Sequence, residues 1–352
     1  MSGVSQACTR TFLSVSPLYD HVCDGLSVSH TPRSADNLEH ASHVMLSSTK
    51  LLNRIMVADG LDPECQQAAA DGDLAIARRL HGSTFGISSD PLAHFVIVFA
   101  ALIHDVDHPG TSNEQLIQIE SPMAIKYDKK SVAERHSLAV SLEILMEDQF
   151  DHLRNSIFPT MEEHTRFRQL LVNAILATDI LDVENREIRA NRWERSFRRK
   201  GMSTGESISA TVNRRATSVL EHIIQASDVA HTMQHWRVFC KWNERLFHEM
   251  YSAYIVGLST HDPSENWHKS QLDFFDNYVI PLARNLKECG VFGVSSDEYL
   301  SYALANRKEW ATRGLSVFQA MRARAMEQFP GSMRASTHVI PSRNCQQNRY
   351  NS

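Results

Sequence analysis

Apolar residues recur at three- and four-residue steps from Asn37 onward. Ala41, Val44, Met45, Ser48, Leu51, Leu52 and Ile55 fall on one face of a predicted helix, with Ser48 its polar member. A loop rich in Asp, Gly and Pro follows over Ala58–Pro63, and a second is centred on His81–Asp90. Pro91 opens the apolar stretch Leu92–His104, which Pro109-Gly110 ends. Another helix starts at Ser131 and runs to Asp148, its Ser131/Glu134 spacing matching a capping box. Helical patterning continues over 162–179, 183–199, 213–230, 235–256, 264–286 and 296–328, and the small polar segment Gly201–Ala210 is expected to be a surface loop. Residues 1–34 are Ser-rich and weakly patterned, and the polar tail is expected to be disordered. Few segments alternate with period two, and no repeat is visible. The expectation is one all-α domain over 35–329, between a poorly defined segment, 1–34, and a disordered tail, 330–352.

Composition narrows the function classes. The 352 residues carry 36 Lys and Arg against 41 Asp and Glu, a formal charge of −5. That balance gives no basic footprint for nucleic acid and is repelled by anionic lipid. The longest apolar run, His94–Ile103, is half of the ~20 residues a bilayer span needs. Cysteines at 8, 23, 65, 240, 289 and 345 form no C-x-x-C pair, which fits reduced thiols in an intracellular, cytoplasmic protein. The Ser-rich start, with Arg10 and no acid before Asp20, makes an organellar transit segment the alternative. Eighteen histidines direct attention to metal ligands.

His104 and Asp105 close the most apolar predicted helix and precede Val106-Asp107-His108-Pro109-Gly110. Adjacent helical side chains diverge by about 100°, which suits a site for two ions better than one. Burying such groups is costly without metals or partners. His40 lies on the inner face of the first helix, and Asp228 sits in the apolar segment Gln225–Ala230. Imidazoles with carboxylates form a mixed N/O donor set suited to Zn²⁺, Mn²⁺ or Fe²⁺.

The order His, His-Asp, Asp resembles the HD superfamily of metal-dependent phosphohydrolases. HDVDHPGTSN (104–113), SVAERH (131–136), LATDI (176–180), QASDVAHT (225–232) and KSQLDFFDNYVIPL (269–282) together resemble the class I 3′,5′-cyclic-nucleotide phosphodiesterase catalytic domain, from Asn37 to Phe329. The resemblance implies a compact multi-helix fold with a two-metal pocket that hydrolyses cAMP, cGMP or both to the 5′-monophosphate. It implies a first metal, usually zinc, on His40, His104, Asp105 and Asp228. Asp105 would bridge to a second ion, usually Mg²⁺ or Mn²⁺, whose waters are ordered by His108, Glu134 and Thr178. Gln271 would read the purine edge, and Phe274 and Leu246 would clamp the base. His231 and Cys240–Trp242 would line the approach. His231 stands where several cAMP-preferring members have Asn. A homodimer is also among the expectations.

The pattern breaks four residues ahead of the first ligand. Where the family has Tyr or Phe, then His, then Asn, this chain reads Ala35-Asp36-Asn37. The family's His protonates the departing 3′ oxygen, a contribution of roughly 10²–10⁴-fold. Asp36 beside two cations would be held ionised and donate poorly, and neither His43 nor His30 occupies the column. Family members usually place several more helices ahead of this point. A truncated or mis-joined N-terminus is one expectation; a cyclic-nucleotide-binding protein with impaired chemistry is the alternative. Arg214-Arg215-Ala216-Thr217-Ser218 resembles a basophilic-kinase site but is read as a solvated helix entrance. Arg192–Lys200, with Trp193 and Phe197 four apart, reads as an amphipathic surface helix.

Overall fold

Caps and prolines divide the chain into fourteen α-helices among the residues described by the computed structural model, which are 34–56, 73–198, 206–293 and 297–328, with the side chains of 34–37, 56 and 73 outside that description. They are α1 (Ser34–Met56), α2 (Asp73–Ser83), α3 (Pro91–Ile103), α4 (Asn113–Gln118), α5 (Pro122–Lys126), α6 (Val132–Leu145) and α7 (Asp151–Ile157). The second half comprises α8 (Met161–Thr178), α9 (Val183–Trp193), α10 (Ile208–Asp228), α11 (Trp236–Ile255), α12 (Trp267–Phe274), α13 (Ile280–Glu288) and α14 (Asp297–Gln328). Among the described residues there is no strand, so the all-α expectation holds. The lead-in and tail predicted from sequence lie outside the described residues, apart from Ser34.

Local chemistry sets the boundaries. Asp90 caps α3, its carboxylate accepting from the Ala93 amide at 3.1 Å, and Pro91 occupies the first turn, where no amide hydrogen is needed. The capping box expected at Ser131/Glu134 is not formed. Ser131 adopts φ 41° and its hydroxyl donates to the Asp182 carboxylate at 3.2 Å, leaving Glu134 free for other partners. The box that does form is Thr160/Glu163, at the start of α8. Helix α10 begins at Ile208, inside the predicted polar loop, because the Ser207 hydroxyl accepts from the Ala210 amide at 3.1 Å. Helices α4, α5 and α7 have seven residues or fewer, too short for periodicity to reveal.

Helices α1, α3, α8 and α10 pack against one another and form the centre of the fold. The predicted inner face of α1 is buried at Val44, Ser48, Leu51, Leu52 and Ile55. It meets α3, whose Val96, Ile97, Phe99 and Ala100 are buried in turn. Each large apolar side chain so buried contributes about 1.5–3 kcal/mol. The packing brings the C-terminal ends of α3 and α10 beside the N-terminal half of α1. Helix α14 lies against the turn Ala230–Met233, α11, α12 and α13. Its Asn306 donates to the carbonyls of Thr232 and Gln234 at 2.9 and 2.7 Å, pinning the chain just after Asp228. Trp310 is fully buried, and Gly314 one turn on leaves room for its ring: a Cβ there would lie 2.6 Å from the indole.

Between α12 and α13 the backbone makes one π-turn, Phe275–Val279. The buried positions Trp267, Gln271, Phe275, Val279 and Ala283 are spaced by four. In a regular α-helix each such step advances about 40° around the axis, and the wider π-turn takes up part of that drift.

Ser218 lies in the interior of α10, 1% exposed, and so is closed to a kinase, whereas Thr217 before it is half-buried and its hydroxyl donates to the Asn213 carbonyl at 2.9 Å. Trp193 is buried, its ring 4.4 Å from Phe197 and 4.1 Å from His222, and Glu194–Arg198 continue α9 as a π-turn.

Candidate active site

Four side chains, from α1, the turn that follows α3 and the last residue of α10, converge. The Nε2 atom of His40, on α1, lies 3.1 Å from Asp228 Oδ1 and 3.7 Å from Asp105 Oδ2. The Nε2 atom of His104 lies 3.2 Å from Asp105 Oδ2 and 3.5 Å from Asp228 Oδ1. His104 follows the last residue of α3, and Asp228 is the last residue of α10. The donor atoms of His40, His104 and Asp105 fall within 4.8 Å of one another, a span that a single ion can bridge.

The donor set fits a divalent cation. His104 is 2% exposed, and its Nδ1–H donates to the Ala101 carbonyl at 3.0 Å, which leaves Nε2 with a lone pair. That Nε2 is buried without a hydrogen-bond partner and faces two carboxylates. Lone pair against carboxylate is repulsive, so the arrangement calls for positive charge among them. The electrostatics agree. Burial works against the charged imidazole, yet the Asp105 and Asp228 carboxylates hold His104 well above its ordinary value. Burial opposes the ionised carboxylates too, but the facing histidines keep Asp105 and Asp228 below the usual range. A proton or a cation between these atoms would meet the same demand for positive charge.

A second group of polar side chains borders Asp105. Asn113 donates to Glu134 Oε2 at 2.8 Å and to Asp179 Oδ2 at 3.3 Å, and accepts from the Ala133 amide at 2.9 Å. Burial, together with the nearby Asp179 charge, pushes the Glu134 carboxyl up to about 7. Asp179 is fixed from behind: its carboxylate accepts from the amides of Leu181 and Asp182, both at 3.1 Å. Buried Arg189 donates to the Leu176 and Asp179 carbonyls, both at 3.0 Å, where a cation suits the end of α8. Thr178 is the last residue of α8, and its hydroxyl donates back to the Ile175 carbonyl at 2.8 Å. Past the left-handed Asp107 (φ 55°), the His108 ring accepts from the Gly110 amide at 3.2 Å. Asp107 pairs with His136 at 2.8 Å.

The expected nucleotide residues come from the turn after α10 and from α11 and α12. Gln271 is buried, and Phe274, half-buried, stacks on Tyr278 with ring centres 5.3 Å apart. Leu246, on α11, is 42% exposed. The His231 ring is driven down to about 3, by burial first and then by His40 and His43, so it is neutral. Its Nδ1 is buried without a partner. Trp242 packs against three histidines, with ring centres 4.9 Å from His43, 5.8 Å from His40 and 6.3 Å from His231. His43 Nε2 lies 3.3 Å from Gln234 Oε1 and its Nδ1 is buried, so its ring is not turned outward in place of the missing acid. Asp36 is one helical turn ahead of His40 on α1, and its side chain lies outside the described residues.

Asn113 and Asp179 lie within segments whose motifs are legible in the sequence, yet no role for either follows from the sequence. Their adjacency to strong motifs was the available signal. Arg189 carried no signal at all.

Residues 78–291 match the family described as 3′5′-cyclic nucleotide phosphodiesterase. The chain is 28% identical over 193 residues to the probable 3′,5′-cyclic-AMP phosphodiesterase pde-4 of Caenorhabditis elegans, a stretch that is 53% of this chain and 28% of that one. It is also 28% identical over 193 residues to the 3′,5′-cyclic-AMP phosphodiesterase 4C of Mus musculus, covering 53% and 27%. The matched segment thus spans little more than a quarter of those relatives. The crystal structure of the phosphodiesterase domain of Salpingoeca rosetta rhodopsin phosphodiesterase superposes with a TM-score of 0.62 at 20% identity over 92% of each chain, a likeness of fold.

Proposed function

The chain belongs to the 3′,5′-cyclic nucleotide phosphodiesterase family, and on that premise we propose that it hydrolyses the cyclic phosphodiester of cAMP to 5′-AMP. The convergence of His40, His104, Asp105 and Asp228 around an unpartnered, buried His104 Nε2 supports this reading most directly. The choice of cAMP over cGMP rests on the relatives named as cyclic-AMP phosphodiesterases.

In this reading the four residues would hold a first metal, zinc, and Asp105 would also face a second, Mg²⁺ or Mn²⁺. Divalent cations in such a site polarise phosphate oxygens and make bound water a nucleophile at neutral pH. The chain's own groups do the rest. Glu134 and Asp179, yoked by Asn113, offer acceptors to water beside Asp105, and a carboxyl that titrates near neutrality is suited to exchanging a proton with it. His108 and Thr178 border the same region. Gln271 presents an amide that both donates and accepts, matching a purine edge. Phe274 and Leu246 supply flat and aliphatic surfaces for the base. Neutral His231 can donate or accept at the pocket wall.

Asp36 favours a second reading, binding without efficient turnover, because an ionised carboxylate does not protonate the departing 3′ oxygen. One experiment separates the two. Purified chain loaded with Zn²⁺ and Mg²⁺ or Mn²⁺ is given cAMP and cGMP, with product followed by chromatography and binding by calorimetry. Metal-dependent 5′-AMP formation supports the enzyme. Saturable binding with negligible product supports the binding protein. Neither binding nor product refutes both. No described helix is long and apolar enough to cross a membrane.

A further inference from the structure

Trp242 touches three histidines of the centre, yet among the described residues α1 and α11 do not pack closely backbone to backbone. What holds the indole against α1 is therefore a matter of side chains. The Arg245 guanidinium lies over the Trp242 ring, 5.0 Å from its centre. Its NH2 is 2.6 Å from Glu39 Oε2, while Lys241 Nζ is 3.0 Å from Glu39 Oε1. Glu39 immediately precedes the ligand His40 on α1. One carboxylate thus ties α1 to α11 and seats a cation on the ring that borders the cluster.

We propose that Glu39 is a positioning residue: by fixing Arg245 on Trp242, it holds that indole against His40, His43 and His231 and so sets the orientation of the metal-ligating His40. This rests on the metal centre proposed above. The two links ask for different chemistry. Glu39 needs only a cation, which Lys241 or Arg245 supplies. The indole needs the flat guanidinium, which stacks and forks at once, as an ammonium does not. Lys241 holds the same carboxylate but makes none of the ring contacts given for Trp242, so its loss should be silent at the cluster. Because α11 also carries Leu246, a looser seam should raise the KM for cAMP as well as weaken the metal.

The test uses the whole chain stripped of metal and titrated with Co²⁺, whose visible d–d bands report ligand geometry without any need for turnover. Glu39→Gln and Arg245→Lys are each expected to weaken Co²⁺ binding by about tenfold, the range for residues that orient ligands, and to alter the bands. Lys241→Met should match the wild type in both. Metal-free melting temperatures should stay close to wild type, since exposed ion pairs stabilise little, which shows that all three variants fold. Wild-type cobalt binding and bands in Glu39→Gln and Arg245→Lys would overturn the positioning role and leave the metal centre standing. An equal loss in Lys241→Met would overturn it as well, pointing to charge alone. A wild-type chain that binds no cobalt would overturn the metal centre and this inference together.

Discussion

Glu134 offers a stability change opposite in sign to its effect on function. In the folded chain its carboxyl titrates at about 7 instead of 4.5, burial being the first cause and Asp179 the second. Between those values the folded state keeps a proton that the unfolded state has released. Stability therefore falls as pH rises from about 4.5 to 7, and the loss is complete above. Each unit corresponds to 1.36 kcal/mol, so the cost is about 1 kcal/mol at pH 5 and about 3 kcal/mol at pH 8. Glu134→Gln removes the titration while its amide oxygen can still accept the Asn113 bond, 2.8 Å long in the parent. In urea unfolding with chelator present, the variant should exceed the parent by about 3 kcal/mol at pH 8, with the gap shrinking to about 1 kcal/mol at pH 5. The same variant should lose metal-dependent turnover, a trade of activity for stability. A variant no more stable than the parent at pH 8, or a gap that does not grow with pH, refutes the reasoning.

Three further outcomes follow from particular contacts. Gly314→Ala places a methyl 2.6 Å from the Trp310 ring, and overpacking should outweigh the gain in helix propensity, for a net loss of about 1–2 kcal/mol read from the urea midpoint. Asp36→His should raise cAMP turnover by roughly 10²–10⁴-fold with zinc content unchanged, whereas an unchanged rate would clear Asp36 of blame. Ser218→Asp buries an unpaired carboxylate in the core, so it should abolish cooperative thermal unfolding, and the wild-type residue should resist a basophilic kinase until the chain is denatured.

The long helices were readable because burial imposes a 3.6-residue pattern on them. The inner face of α1 and the limits of α8, α11 and α14 follow it within a few residues. Short helices such as α4 and α5 complete too few turns to show a period, and Ser207 started α10 early through one hydroxyl in a segment that composition alone marks as loop. Ser131 misled for a related reason. Its spacing to Glu134 fits a cap, but the left-handed backbone there turns the hydroxyl to Asp182, a partner 51 residues away. The nearness of His40, His104, Asp105 and Asp228 is what the family resemblance of their motifs implies, since no local spacing relates three segments so far apart in sequence. Asn113 linking Glu134 to Asp179, and Glu39 reaching Arg245 across 206 positions, are products of packing that no local pattern announces.

The π-turn at Phe275–Val279 works as a phase corrector for the helix in which it sits. Gln271 and Phe274 lie ahead of it, and the core residues Val279, Ile280, Ala283 and Leu286 lie at its end or behind it. One surplus residue sets the angle between these two stretches. Deleting it would restore a uniform α-helix, and either the amide of Gln271 or the core contacts of α13 would swing by roughly 100°. If Gln271 reads the base as proposed above, a length change in this five-residue window disturbs folding and recognition together. A substitution that keeps the length of the window leaves that angle, and with it the register of the core, in place.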